Sequence, residues 1–127
     1  MSDANLQQQR RVVDAFLAAA RDGDFQGLIA VLDPDIVLRA DGGALAGMSR
    51  IVRGAEAVAA QATAFSKSGL TNHFVTVNGN VGLVTCRADG RPFSVLGFTV
   101  AGGRIVEIDI LADPERISRL DLSAIER

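Results

Sequence analysis

The sequence predicts an α+β fold in which three helices pack across one face of a curved antiparallel sheet, in the order ααβαββββα. Three observations carry that prediction. Two β-rich runs, Phe93 to Val100 and Ile105 to Leu111, flank Ala101-Gly102-Gly103-Arg104, whose glycines supply the positive φ of a tight turn. The first half of the chain repeats apolar residues at helical spacing, and everything from Gly69 to Leu111 reads as strands separated by turn signals. In the two runs the apolar residues do not keep strictly to one face. Val95 stands opposite Leu96, Phe98 and Val100, and Ile105 and Leu111 flank Glu107 and Asp109. An antiparallel sheet with one wet face alternates more strictly, so cover is expected on both faces: helices on one, a partner surface or second subunit on the other.

Val13, Phe16, Leu17 and Ala20 fall at i, i+3, i+4 and i+7, which predicts a helix from about Leu6 to Asp22, stopped by Gly23. Asp24 caps a second helix with the apolar face Phe25, Leu28, Ile29 and Leu32, closed by Asp33-Pro34 because the residue before proline disfavours the helical region. Ile36 to Ala40 is the first strand. The small and polar residues from Asp41-Gly42-Gly43 to Arg53 read as a long loop, and loops of that length are commonly functional. A third helix covers Ala55 to Lys67, with Val58, Gln61, Ala62 and Phe65 on its inner stripe. Asn72 to Val77 and Val81 to Arg87 flank Asn78-Gly79, and with the hairpin they complete a four-strand meander. Asp113 caps a last helix with Pro114 at its first position, where the missing N–H costs nothing.

With 127 residues, 48% of them hydrophobic and 22% charged, the chain is expected to form one domain with a real core. A net charge of -2 without any Lys/Arg run provides no electrostatic footprint for nucleic acid, and no direct nucleic-acid partner is expected. Glu107 and Asp109 interrupt the most apolar run, so no stretch of about 18 apolar residues spans a membrane. The lone Cys86 forms no internal disulfide and the start MSDANLQQQRR lacks a signal peptide's apolar core, which makes cytoplasmic residence the expectation. No metal is expected from one histidine and no cysteine pair, nor any cofactor. The segment from Gly42 to Ser49 mimics a phosphate loop only superficially, since Met48 occupies the lysine position.

The element order and the segment FLAAARDGDFQGLIAVLDPDIVLRADGG resemble the nuclear transport factor 2-like superfamily, which includes ketosteroid isomerase and the SnoaL-like polyketide cyclases. Within it, the chain resembles the SnoaL-like domain at the C-terminus of some extracytoplasmic-function sigma factors. Asp41-Gly42-Gly43-Ala44-Leu45 is similar to that family's Asp-Gly-Gly-Gly-Lys motif, and Asp113-Pro114-Glu115-Arg116-Ile117 to its Asn-Pro-Asp-Lys-Leu motif. Asn78-Gly79-Asn80-Val81-Gly82 matches another recurrent stretch. Ala44 and Leu45 replace the first motif's last glycine and its lysine. The 127 residues are expected to hold this domain alone, without the two helical regions by which a sigma factor binds polymerase core and promoter. The chain is then either an excised piece or a free-standing relative.

The resemblance implies a cone-shaped, cystatin-like sheet with a conical pocket between it and the helices. The pocket is expected to be lined by Phe16, Leu38, Arg39, Asp41, Val58, Phe65, Leu96 and Phe98. Ketosteroid isomerase needs a base, a tyrosine and a carboxylic acid kept neutral by an apolar site. This chain has no tyrosine: Phe16 stands where the helix-one tyrosine falls, and Leu96 lies near the neutral acid's position. Asp41 lies near the base position, and Asp-Gly-Gly is also ordinary turn chemistry. Asp109 is the other candidate base, because a carboxylate amid β-branched residues is either at a wet edge or partnered, with Arg39 or Arg104 as an ion-pair alternative. Polyketide cyclases of this fold use sheet carboxylates as acid and base. His73 is a candidate general acid or a structural histidine, and Cys86 a buried, inert thiol. Arg50 and Arg53 stand at the expected pocket mouth, either to hold an acidic ligand or to solvate the loop.

By the resemblance, Asp41, Gly42 and Gly43 and the helix start Asp113, Pro114, Glu115 and Arg116 are protein-contact segments. The expected function is a regulatory or ligand-sensing domain that acts on sigma-factor core regions or RNA polymerase and takes a small apolar ligand. The alternative is a small isomerase or cyclase acting on an apolar carbonyl compound, with Asp41, Asp109 and His73 as its catalytic groups. A third reading is a homodimeric binding protein.

Overall fold

The computed structural model describes residues 5–42 and 50–119. Helix α1 (Leu6–Asp22) begins where the Asn5 side chain accepts the Gln8 amide at 2.8 Å and ends at Gly23. Helix α2 (Phe25–Val31) follows at once, with Asp24 accepting the Gly27 amide at 2.9 Å. Strand β1 (Leu32–Asp41) and the short β2 (Arg50–Arg53) precede helix α3 (Ala55–Ser66). Then come β3 (Thr71–Val77), β4 (Asn80–Cys86), β5 (Pro92–Ala101), β6 (Arg104–Leu111) and a short helix α4 (Pro114–Ser118). No helix among the described residues is long and apolar enough to cross a membrane.

The six strands lie in one curved, unclosed sheet in the order β2-β1-β6-β5-β4-β3. The meander β3 to β6 is antiparallel throughout, and Asn78 and Gly79 both take positive φ, 50° and 82°, as a two-residue hairpin loop requires. Three features depart from the local reading. Arg50 to Arg53 is an edge strand paired with Val37 to Ala40, not part of a loop. β1 starts at Leu32, because a pairing irregularity between Leu32 and Val37 accommodates Pro34 within the strand. And β1 runs parallel to β6, so the sheet is mixed.

Helices α1, α2 and α3 cover one face, called inner here. Its core includes Val13, Phe16, Leu28, Leu32, Ile36, Val58, Leu83, Phe98, Val100 and Ile108. The Phe16 and Phe98 rings meet edge to face, with centroids 6.0 Å apart. Along β5 burial alternates: Ser94, Leu96, Phe98 and Val100 are buried against the helices, and Val95, Gly97 and Thr99 are half-buried on the outer face. Helix α4 packs against β5, and Val84, Cys86 and Ile117 are buried outside the main core.

Candidate functional site

Between the helices and the inner face lies a cavity of about 120 Å³. Phe16 and Leu17 come from α1 because a 3.6-residue period turns them to the sheet, and Val58, Gln61, Ala62 and Phe65 come from α3 for the same reason. Leu38, Leu83, Leu96, Ile108 and Ile110 reach it from β1, β4, β5 and β6, each on the inner side of its strand's two-residue alternation. The walls are almost wholly apolar. Polar atoms enter from Arg50, Gln61, Ser66, Asn72 and Ser94. Ser66 Oγ donates to the Ala20 and Thr63 carbonyls at 3.1 and 2.7 Å, and the buried Ser94 and Thr85 hydroxyls bond each other at 2.5 Å. Among the described residues, no Asp, Glu, His or Cys lines the cavity.

Five of the eight residues expected around a pocket stand in this lining: Phe16, Leu38, Val58, Phe65 and Leu96. Phe98 is buried in the core against Phe16 and does not line it. Arg39 and Asp41 are on the other face, since one residue along β1 reverses the side. Sequence reasoning put Gln61 and Ala62 on the inner stripe of α3 but did not assign them to a site. It missed Ser94 and Asn72, whose signal was their two-residue spacing from Leu96 and from Phe74.

The outer face carries a broad groove of about 850 Å³ bordered by Arg39, Asp41, Asp109, Arg116 and the strand residues Val95, Gly97 and Thr99. Asp109 pairs across the ladder with both Arg39 and Gly97, and Glu107 stands two residues before it on the same face. Desolvation raises the Asp109 carboxyl to about 6, and the hydrogen bond and negative charge of Glu107 push the same way. Glu107 is held below the usual carboxylate range, first by its hydrogen bond with Asp109 and then by that from Arg39, whose Nη1 donates to Oε1 at 2.5 Å. Below about pH 6, where Asp109 keeps its proton, it donates to ionised Glu107. His73, on edge strand β3, faces the same side as Val84, away from the cavity; its Nε2 is 3.0 Å from Thr71 Oγ1. The three candidate catalytic residues therefore do not meet in the helix-side cavity.

Asp41 is instead drawn to α4. Arg116 Nη1 donates to Asp41 Oδ2 at 2.8 Å, and the Ala112 amide donates to the Asp41 carbonyl at 2.8 Å. Asp113 caps α4 by accepting the Glu115 amide at 3.2 Å, with Pro114 at the first turn. Two motif segments more than 70 residues apart in sequence so form one surface; Gly43 and the rest of the loop to Ser49 lie outside the described residues. Arg50 borders the cavity, and Arg53 pairs with Val37 away from it. Cys86 is buried, and no group of three or more His, Cys, Asp or Glu among the described residues is placed to hold a metal.

Comparison with known proteins sets this geometry in a family. The chain is similar to the extracytoplasmic-function sigma factor SigJ of Mycobacterium tuberculosis, with TM-score 0.69 and 23% identity over 91% of this chain and 46% of SigJ. It spans about half the length of that protein. A nuclear transport factor 2-like protein of Burkholderia xenovorans LB400 is similar at TM-score 0.63 and 24% identity, covering 91% of this chain and 96% of that one. An LEH-like epoxide hydrolase of Mycobacterium tuberculosis is similar at TM-score 0.59 and 20% identity, covering 85% and 84%. No curated protein matches the sequence. The SnoaL-like domain family matches residues 13–108, and the chain belongs to that family.

Proposed function

We propose that this SnoaL-like domain is a non-catalytic, ligand-sensing module that holds a small apolar molecule between helices and sheet and modulates transcription through protein contacts. One observation carries the reading: the cavity walls are apolar, and the carboxylates available for proton transfer stand on the opposite face of the sheet. A carbonyl substrate in the cavity would meet no carboxylate, imidazole or thiol to take its proton among the described residues. The size fits a sensor of small molecules. About 120 Å³ is close to the roughly 150 Å³ of an apolar cavity that takes benzene, and well below the roughly 300 Å³ at which drug-sized pockets begin.

The surface formed by Asp41 and α4 supports the protein-contact half of the reading, as does the likeness to SigJ. The test adds the purified chain in trans to sigma-factor helical regions and measures their binding to core RNA polymerase. The expected result is a change in binding that Asp41→Ala and Asp113→Ala abolish. Unchanged binding contradicts the regulatory reading. Turnover of a steroid or polyketide ketone that Asp109→Asn abolishes would put an isomerase or cyclase in its place.

A further inference from the structure

We infer that the cavity selects an anionic ligand: a small monocarboxylate with an apolar body of about one ring, its carboxylate held at the rim by Arg50. The inference rests on the reading of the cavity as a ligand site and adds the chemical class of the ligand. Arg50 pairs across the ladder with Ala40, a cavity-lining residue, so its side chain leaves β2 on the cavity side, at a rim that also borders the outer groove. It is the only charged residue in the lining among the described residues. The neighbouring charges are already engaged: Arg39 with Glu107 at 2.5 Å and Arg116 with Asp41 at 2.8 Å. Among the described residues, Arg50 has no ion-pair partner.

The other polar groups lie at separate places around the cavity, with Asn72 on β3 at the sheet edge opposite Arg50. Among the described residues, the Gln61 and Asn72 side-chain amides have no hydrogen-bond partner, whereas the Ser66 and Ser94 hydroxyls are already bonded. A guanidinium offers a fork of N–H groups, stays charged at every physiological pH, and matches a carboxylate's two oxygens. Apolar walls on the remaining sides favour a hydrocarbon body over a second polar group. A carboxylate supplies acceptors only, which is what the Arg50 guanidinium requires.

Calorimetric titration of the chain with benzoate and with benzyl alcohol, probes of similar size of which one is anionic and the other neutral, tests the inference. The expected ratio of affinities favours benzoate by roughly tenfold, as for one charge-assisted contact at a partly exposed site, and falls to near one in Arg50→Gln. Equal affinity of the wild type for both probes, or an unchanged ratio in Arg50→Gln, overturns the inference and leaves the apolar site standing. Binding of neither probe removes the apolar site and this inference together. The wild-type ratio decides even if the variant does not fold.

Discussion

At Gly82 a single added methyl would stand 2.5 Å from the Leu96 carbonyl oxygen and 2.5 Å from Val77 Cγ2. The carbonyl belongs to the neighbouring strand and cannot move aside, so Gly82→Ala is expected to cost about 1–3 kcal/mol, read from urea denaturation. Asp109 illustrates the opposite case, a residue whose charge the fold opposes. Its carboxyl sits near 6 in the folded chain against 3.8 when free, so the folded state keeps a proton that the unfolded state has already lost between those values. Stability therefore falls as pH rises through that window and stays lowered above it. Asp109→Asn should melt higher than wild type at pH 7 to 8, with the gain vanishing near pH 4; an equal gain at both pH values contradicts this. Glu107 has the reverse sign, contributing stability above 4.5 that is lost as acid protonates it. A carboxylate amid β-branched residues was legible from sequence as either at a wet edge or partnered; it is partnered by Glu107, and it is exposed on an interior strand rather than at an edge. What remained illegible was the side: Asp41 was expected in the pocket, and only the strand's phase against its neighbours puts it on the outer face.

Elements were legible in proportion to how local their causes are. Asp24 and Asp113 mark helix starts through side chains that bond amides two or three residues on, and α1, α3 and the Asn78-Gly79 hairpin follow from period and turn chemistry. Asp24→Ala should cost about 1 kcal/mol, measured by thermal unfolding. β2 was missed because four residues at a sheet edge carry no period, and the parallel β1–β6 pair because partner choice is set by chain topology. Gln9 is another non-local feature. Only 2% exposed, it accepts the Val81 amide at 2.7 Å and donates to Asn80 Oδ1 at 3.1 Å, tying α1 to the start of β4. Gln9→Leu strands the Val81 N–H in a buried site and should cost about 1–3 kcal/mol by the same denaturation assay. A loss below about 0.5 kcal/mol would show that water replaces the side chain.

Across the whole molecule, the sheet separates two environments that the sequence could only intermix. Its inner face and α1 to α3 enclose a small apolar cavity, and its outer face carries the Arg39, Glu107, Asp109, Asp41 and Arg116 network. The α+β class, the helix-on-sheet layering and five of the lining residues followed from periodicity and resemblance. The division of labour between faces did not, because it depends on which side of each strand the helices take. Filling the cavity tests its role in binding: Ala62→Phe should lower affinity for benzyl alcohol at least tenfold and leave the circular dichroism spectrum unchanged. The most direct measurement of the central claim is a methyl NMR titration of the chain with benzyl alcohol. Shifts confined to Leu38, Leu83, Leu96 and Ile108 are predicted; shifts confined to Val95 and Leu111, or none, would contradict it.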